Sequence, residues 1–259
     1  MQNTYEIADA WRKAKKVVVF TGAGMSTESG LPDFRSAQGL WKQRPEALAT
    51  LEALYSQPGE FYFFYQWRIA KLWEVAPNNG HTALAALQQE GYVHKLITQN
   101  VDGLHQRAGS VDAIELHGTL RTVSCIECSY TADSRTLLPD YTGWEAAYRK
   151  GTYNYGMECH CPECNSSMRP DVVLFGEALP QKAWQKAQNA CSEADFFVVI
   201  GSSLAVSPAN YCPQMALSNG ANLLIINNEP TPFDNYAKWV IREKAGEVLD
   251  RVKDNILNL

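Results

Sequence analysis

A glycine-rich run directly after a hydrophobic segment is the part of this 259-residue chain that most clearly suggests ligand chemistry. Residues 17–20 are Val-Val-Val-Phe, an apolar run typical of a central parallel strand. Gly22 and Gly24 follow at once, and such glycines let the backbone approach a phosphate closely. Ser26 and Thr27 are expected to cap a helix whose N–H groups attract a pyrophosphate. The run predicts a nucleotide site, although Thr27 replaces the third glycine of the usual G-x-G-x-x-G pattern.

Two Cys-x-x-Cys pairs are the second feature with chemical meaning. Cys125 and Cys128 form the first pair, and Cys161 and Cys164 form the second. This spacing lets two thiolates from one tight turn occupy two corners of a tetrahedron. Cys159 is an alternative to Cys161, at wider spacing from Cys164. Because four thiolates leave no open position for water, the pattern predicts one structural zinc ion and not a catalytic one.

His117 is the best candidate for a general base. It follows the apolar pair Ile114 and Leu116 and precedes a glycine, which places it at the carboxyl end of a predicted strand. The ordinary pKa of histidine suits proton transfer near neutral pH. Spacing alone does not separate catalysis from a structural role at His117. His105, in the run Asp-Gly-Leu-His, is expected to pack a helix.

Strand and helix signals alternate along the chain, and they define the elements that must position these residues. Hydrophobic runs, each followed by a polar or glycine-containing turn, lie at 17–20, 93–98, 196–200 and 223–227. Helical stretches lie between them, for example at 81–89 and 181–194. This order predicts an α/β fold with a Rossmann-like doubly wound parallel sheet, in which ligands bind at the carboxyl ends of the strands.

Two segments interrupt this alternation. Residues 36–77 are rich in aromatic side chains and helix formers, so they predict a helical insertion. Residues 121–169 contain five of the seven cysteines and predict a small zinc-binding module. The remaining residues, 1–35, 78–120 and 170–259, are expected to form the Rossmann-like nucleotide-binding domain.

Composition narrows the functional class. The net charge is −5 without a long Lys/Arg block, which argues against nucleic acid as the main partner. No apolar run approaches the roughly 20 residues of a membrane span, so no membrane partner is expected. The first 16 residues lack a signal-peptide core. A cytoplasmic protein is therefore expected, with thiols and metal ligands instead of disulfides.

Six motifs together resemble those of the sirtuins, a family of NAD-dependent protein deacylases. They occur in the family's order and are the run 17–35, Thr-Gln-Asn-Val-Asp-Gly-Leu-His at 98–105, Glu-Leu-His-Gly at 115–118, the paired cysteines, Phe-Gly-Glu at 175–177 and Gly-Ser-Ser-Leu at 201–204. The resemblance implies a Rossmann-like core with a helical and a zinc-binding insertion, and substrates bound between core and small domain. It also favours Cys161 over Cys159, because the family's module reads Cys-Pro-Glu-Cys followed by Arg-Pro.

The resemblance further implies a reaction. The acyl-lysine oxygen attacks the ribose carbon that carries nicotinamide, nicotinamide leaves, and His117 as the base activates a ribose hydroxyl. The products are free lysine, nicotinamide and O-acyl-ADP-ribose. Asn100 would orient the ribose and a water molecule, and Phe34 would shield the reactive sugar from other water.

The remaining NAD contacts are also implied by the resemblance, residue by residue. Val101 and Asp102 would hold the nicotinamide carboxamide, and Gln99 would bind ribose hydroxyls. Asn227 would bind the adenosine ribose, and the backbone amide of Ala245 would meet the adenine. The residues expected around the pyrophosphate and its loop are Gly22, Ala23, Gly24, Thr27, Arg35, Gly201, Ser202 and Ser203.

Two segments predict the substrate side of the site. Val173, Phe175 and Gly176 lie in an apolar extended run that resembles the sirtuin edge that pairs with a substrate peptide by strand addition. Tyr65 and Arg68 are three residues apart in a predicted helix, so they share one face. A phenol beside a guanidinium suits an acyl chain that ends in a carboxylate, because arginine can grip both oxygens.

The acyl preference suggested by these residues is mixed. Tyr-x-x-Arg at 65–68 resembles the desuccinylase and demalonylase branch of sirtuins, and Ala49 matches the small pocket residue of that branch. Pro-Asp-Phe-Arg at 32–35 is closer to the deacetylase branches. We therefore predict dual activity on acetyl-lysine and succinyl-lysine. The alternative is an aromatic core helix whose arginine only extends towards solvent.

The leading functional hypothesis is an NAD-dependent deacylase that acts on acyl-lysine proteins or peptides. A mono-ADP-ribosyltransferase is a second hypothesis, since a protein nucleophile could capture the same activated sugar. A catalytically silent NAD-sensing module is a third. The combination of His117 with Asn100 favours deacylation.

Overall fold

The computed structural model describes residues 4–140, 142–153 and 159–258. The helices are α1 (Thr4–Lys13), α2 (Leu40–Gln43), α3 (Leu51–Ser56), α4 (Pro58–Glu74), α5 (Asn79–Gln89), α6 (Leu104–Arg107), α7 (Trp144–Arg149), α8 (Gln181–Glu193), α9 (Cys212–Ser218) and α10 (Ala245–Leu257). The strands are β1 (Val17–Thr21), β2 (Lys95–Thr98), β3 (Ile114–Glu115), β4 (Gly118–Cys125), β5 (Thr131–Asp133), β6 (Met168–Val172), β7 (Phe196–Ile200), β8 (Asn222–Ile226) and β9 (Trp239–Ile241).

The larger sheet has six parallel strands in the order β3-β2-β1-β7-β8-β9. From β1 the chain adds β2 and β3 on one side, and it later returns to add β7, β8 and β9 on the other. Such a reversal opens a crevice at the carboxyl ends of the strands, where open α/β sheets bind ligands. The predicted α/β fold with a doubly wound parallel sheet is confirmed.

Helices cover both faces of this sheet. Val17 and Val19 of β1 contribute to a hydrophobic core with α1, α5 and α10. Val18 and Phe20 pack on the opposite face with α8 and α9. Every residue of β1 and β7 is buried, because successive side chains of a strand point to opposite faces and both faces are covered.

A smaller domain is built from the two insertions. Its sheet pairs β4 in antiparallel fashion with β5 and with β6. Phe61 and Phe64 of α4 share one hydrophobic core with Val123 of β4. Residues 36–77 and 121–169 are separate segments in the sequence prediction, but in three dimensions they pack into this common core.

Residue 141 and residues 154–158, inside the predicted zinc-binding module, lie outside the described part of the chain. Within the described ranges, no helix combines the length and the apolar character that crossing a bilayer would require.

Candidate active site and metal centre

A cavity of about 610 Å³ lies at the carboxyl ends of β1, β2 and β7, between the large sheet and the small domain. Small-molecule sites commonly measure about 300–1,000 Å³, so its size suits a ligand of cofactor class. The structure brings most of the predicted site residues to its wall: Gly22, Ala23, Gly24, Phe34, Arg35, Tyr65, Arg68, Gln99, Asn100, Val101, Asp102, His117, Val173, Phe175, Gly176, Gly201, Ser202, Ser203 and Asn227.

Two predicted cofactor residues do not line the wall formed by the described residues. The Thr27 hydroxyl donates to the Gly24 carbonyl at 2.9 Å. Ala245 is the buried first residue of α10. The roles assigned to Thr27 and Ala245 stay predictions.

Glycines from two loops interlock at one end of the cavity. The Gly22 N–H donates to the Ile200 carbonyl at 2.9 Å, and the Gly24 N–H donates to the Gly201 carbonyl at 2.8 Å. A Cβ at Gly24 would lie 2.7 Å from the Gly201 Cα. Gly201 has φ +60, and a Cβ there would lie 2.3 Å from the Met25 nitrogen. Glycine is therefore required by the packing of the loops, which bring bare backbone to the cavity as a phosphate site needs.

The expectation that Ser26 and Thr27 cap a helix is wrong. Ala23–Ser29 is a 3-10 helix preceded by Gly22, without a side-chain cap. Ser26 is buried, and its hydroxyl donates to Asp102 Oδ2 at 2.7 Å. The physical reason is that a buried carboxylate is costly without donors, and Ser26 supplies one from the neighbouring loop. Burial raises the pKa of Asp102, while this hydrogen bond opposes the rise.

Asn100, just after β2, has both of its amide donors engaged. Its Nδ2 donates to the Gly22 carbonyl at 3.0 Å and to Ser26 Oγ at 3.2 Å. Its backbone N–H donates to Thr98 Oγ1 at 3.0 Å. The side-chain oxygen is left as the polar group that Asn100 can offer to the cavity. That oxygen is suited to accept a hydrogen bond from a hydroxyl group or a water molecule.

His117, between β3 and β4, is held in the tautomer that a general base needs. Its Nδ1 lies 3.1 Å from the Gln99 carbonyl oxygen. Because a carbonyl only accepts, the proton sits on Nδ1 and Nε2 is free to take one. Burial lowers the pKa of His117, and the hydrogen bond to Gln99 opposes this shift. The Gln99 side chain in turn donates to Ser202 Oγ at 2.9 Å, which joins the loops after β2 and β7.

Phe34 and Arg35 lie where the small domain meets the cavity. The Phe34 ring packs 4.9 Å from the Trp41 ring, measured between centroids. Arg35 forms an ion pair of 2.8 Å with Glu46. Both side chains are thus held by the helical insertion while they line the cavity.

Tyr65 and Arg68 share a face of α4, as predicted from their spacing, and both line the cavity. The Arg68 guanidinium carbon lies 5.4 Å from the ring centroids of Phe34 and Tyr65 and 5.5 Å from that of Phe64. Burial lowers the pKa of Arg68 and raises that of Tyr65. Among the described residues, no carboxylate lies within 4 Å of the Arg68 guanidinium.

The segment after β6 is extended, but its main chain is already partly used. The Val173 N–H donates to the His117 carbonyl at 2.9 Å. Phe175 donates to the Ala49 carbonyl at 2.9 Å and accepts from the Leu51 N–H at 3.1 Å. This pairing ties the segment to the helical insertion. Peptide binding by strand addition at Val173, Phe175 and Gly176 stays a prediction.

The four predicted zinc ligands meet in the small domain. The Sγ atoms of Cys125 and Cys164 are 3.4 Å apart, and those of Cys128 and Cys161 are 3.6 Å apart. All four lie within 4.8 Å of one another. Tetrahedral zinc with bonds of about 2.3 Å places its sulfurs about 3.8 Å apart, so the cluster fits one structural zinc ion. Cys159 is instead buried with its Sγ 3.5 Å from Gln66 Nε2.

Sequence reasoning assigned no role to Thr21 or Thr98, whose hydroxyls meet at 2.8 Å behind the cavity. Each is the last residue of its strand, β1 or β2. The available signal was a threonine at the end of the predicted run 93–98 and another directly after the predicted run 17–20.

This geometry is that of a Rossmann-like α/β protein, with a histidine in the cavity at the carboxyl ends of its strands and a separate cluster of four thiols. The Sir2 family profile matches residues 22–208, and the chain belongs to the Sir2 family, the sirtuins.

Relatives match nearly the whole chain. An NAD-dependent protein deacetylase of Geobacillus kaustophilus is 48% identical over 95% of this chain and 96% of its own. One from Oceanobacillus iheyensis is 45% identical, with 96% and 99% covered. An NAD-dependent protein deacylase of Pyrococcus furiosus is 42% identical, with 97% of each chain covered.

Solved structures support the same assignment. A Sir2 homologue in complex with NAD superposes with a TM-score of 0.86 at 36% identity, over 100% of this chain and 95% of that one. A Sir2 complex with a p53 peptide and NAD superposes with a TM-score of 0.85 at 35% identity, over 98% of each.

Proposed function

We propose that this sirtuin deacylates lysine side chains of proteins or peptides with NAD as co-substrate, and that His117 is its general base. The observation that carries the proposal is the contact of His117 Nδ1 with the Gln99 carbonyl, which leaves Nε2 free to accept a proton in the same cavity as the Asn100 oxygen and the glycine loops. The relatives named as NAD-dependent deacetylases and deacylases support this function over ADP-ribosyl transfer to protein and over silent NAD sensing.

The interlocked glycines and the cavity volume fit a dinucleotide. When bound, NAD would supply a ribose carbon activated by its nicotinamide leaving group. The loops at Gly22 to Gly24 and Gly201 to Ser203 would hold its pyrophosphate, with Gln99 on the ribose hydroxyls. Asn227 lies at the far end of the same wall, after β8, and would hold the adenosine ribose.

Each polar side chain has a distinct task in this proposal. The Asn100 oxygen would orient a hydroxyl or a water molecule, and Asp102 and Val101 would hold a carboxamide. Phe34 would exclude stray water from the reacting centre. His117 would accept a proton at Nε2, keeping its own Nδ1 proton on the Gln99 carbonyl.

The test compares wild-type protein with His117→Ala on an acetyl-lysine peptide and NAD, with mass spectrometry for O-acetyl-ADP-ribose. General base catalysis contributes about 10²–10⁴-fold to the rate, so the turnover of the variant should fall by at least about 10²-fold. Its affinity for NAD should change only a few-fold. His94→Gln is the matched control, because His94 bonds Lys16 at the amino end of β2, away from the cavity.

The possible results separate the hypotheses. O-acetyl-ADP-ribose from wild type alone supports deacylation with His117 as the base. Full turnover by His117→Ala would exclude that role. Transfer of ADP-ribose to protein without deacetylation would indicate the transferase, and NAD binding without any product would indicate a sensing module.

A second acyl class is favoured by the surroundings of Arg68. This guanidinium lines the cavity among aromatic rings, without a carboxylate partner among the described residues. A partly buried cation is stabilised by an anion that enters its pocket. We infer that a succinyl or malonyl carboxylate takes this place, beside the Tyr65 hydroxyl, so that the enzyme removes acidic acyl groups as well as acetyl groups.

A further inference from the structure

A chain of buried polar groups runs from α6 to the backbone of Asn100. His105 is 1% exposed, and its Nε2 lies 3.0 Å from the hydroxyl oxygen of Thr21. The Thr21 hydroxyl donates to Thr98 Oγ1 at 2.8 Å. The same Thr98 oxygen accepts the Asn100 N–H at 3.0 Å. Thr21 and Thr98 are themselves buried, so no solvent-exposed group interrupts the chain.

The direction of this chain follows from the number of protons available. Thr21 has a single hydroxyl proton, and it is used towards Thr98. The Thr21 oxygen must therefore accept from His105, which requires the proton of the neutral imidazole to sit on Nε2. His105 Nδ1 is buried and has no hydrogen-bond partner among the described residues. When the proton is on Nε2, Nδ1 carries no hydrogen, so the buried ring has no N–H group without an acceptor.

A second arm connects the same short helix to the other end of Asn100. The Leu104 N–H of α6 donates to Asp102 Oδ1 at 2.9 Å. Asp102 accepts from the Ser26 hydroxyl, which itself accepts from Asn100 Nδ2 at 3.2 Å. Asn100 is thus fixed at its backbone through His105 and at its side chain through Asp102.

The consequence concerns the side-chain oxygen that Asn100 can present to the cavity. A shift of the Asn100 backbone would move its side-chain oxygen, and small displacements of positioning groups cost much of the rate. We propose that His105 is a positioning residue of the deacylation reaction, which holds Asn100 in register through Thr21 and Thr98. This inference rests on the proposed role of Asn100 in deacylation.

Kinetics of His105 variants test the proposal. His105→Leu removes the donor, and kcat should fall about 10- to 100-fold while KM for NAD stays within about threefold, because the ligand contacts remain. His105→Gln should recover kcat to within about fivefold of wild type, because its amide nitrogen can donate to Thr21 from nearly the same place. Equal kcat losses in the Leu and Gln variants, or a loss in KM alone, would overturn the proposal.

Thr98→Val tests the next link and covers the case in which His105→Leu does not fold. Valine keeps the shape and removes the hydroxyl, so kcat should again fall at nearly constant KM. Thr98→Ser should restore it. If Thr98→Val, folded by circular dichroism, turns over like wild type, the chain does not position Asn100.

The tautomer provides a readout that does not depend on turnover. Two-bond proton–nitrogen NMR of wild-type protein labelled at histidine, with His105→Gln used for assignment, should show the proton of His105 on Nε2. A proton on Nδ1 would contradict the proposed direction. If the wild-type protein shows the expected tautomer but no deacylation, the proposed function is wrong, and so is the positioning role of His105 in that reaction. The hydrogen-bond chain itself would still be established.

Discussion

The large sheet and the small domain form opposite walls of one cavity but are stabilised in different ways. The sheet buries every residue of its central strands β1 and β7 in two hydrophobic layers. The small domain has a sheet of three strands, of which the edge strand β5 is short and largely exposed, and it packs aromatic side chains of α4 against this sheet. The small domain also contains the cluster of four thiols, and a metal ion bound there would tie the loops of Cys125 and Cys161 together.

The comparison indicates how each wall should respond to change. The cofactor side depends on backbone packing between loops, whereas the substrate side depends on single side chains and on the thiolate cluster. Single substitutions should therefore have more selective effects on the substrate side.

The largest expected effect is the loss of zinc. Cys161→Ser should abolish metal binding and activity together and unfold the small domain, because structural zinc contributes about 10–16 kcal/mol in small peptides. The zinc-to-protein ratio should fall from one to zero. Cys191→Ala, in the buried interface of α8 with the large sheet, is the control and should retain zinc. Zinc retained by Cys161→Ser but lost from Cys159→Ser would move the ligand to Cys159.

The next effect in size concerns acyl selectivity. Arg68→Met should lower kcat/KM for succinyl-lysine about 10- to 100-fold, since a hydrogen bond to a charged group contributes about 1.5–3 kcal/mol. Turnover of acetyl-lysine should change little. Arg44→Met is a matched control, because Arg44 also packs on aromatic rings, those of Phe63 and Trp67, but does not line the cavity. Equal losses on both substrates would assign Arg68 to the fold.

The smallest effect expected is an acid-dependent loss of stability on the sheet side. His81 and His105 are buried with ring centroids 4.8 Å apart. Burial lowers the pKa of His81 to about 4 and that of His105 to about 3. Below about pH 6.5, the pKa of histidine in the unfolded chain, the unfolded chain binds more protons at these two histidines than the folded protein does. The contribution of these histidines to the free energy of unfolding is thus fully present above about pH 6.5. It falls as the pH drops towards their pKa values in the folded protein.

Thermal unfolding measured at a series of pH values checks this prediction. The Tm of wild type should fall more steeply below pH 6.5 than the Tm of His105→Gln, which cannot gain that proton. If the plots of Tm against pH are parallel for the two proteins, His105 does not contribute to the loss of stability in acid.

The same two regions differ in how far their structure follows from sequence. The strand predicted at 196–200 coincides with β7, and the strand predicted at 17–20 matches β1 except for its last residue. Both were predictable because continuous runs of β-branched and aromatic residues strongly favour the strand conformation. The three-residue β9 carries too little pattern to be recognised, and its pairing with β8 is set by the rest of the sheet.

The site was predictable where chemistry and spacing are local. The two cysteine pairs and the position of His117 after a strand follow from short motifs. The inward turn of Ser26 towards Asp102 does not, because it depends on a partner 76 positions away. The shared core of the two insertions is likewise a long-range contact without a local signal.

The interlocked glycines at positions 22, 24 and 201 have a consequence for how this sequence can vary. The would-be methyl groups at positions 22 and 24 meet the backbone of Gly201, and one at 201 meets the turn that contains Gly24. No side-chain rearrangement relieves a clash with backbone, so an alanine at any of the three forces the loops apart. A second substitution at the other two positions cannot make room, because glycine has no side chain that could be made smaller. Laboratory evolution of this enzyme should therefore leave all three positions unchanged even where stabilising substitutions accumulate around them.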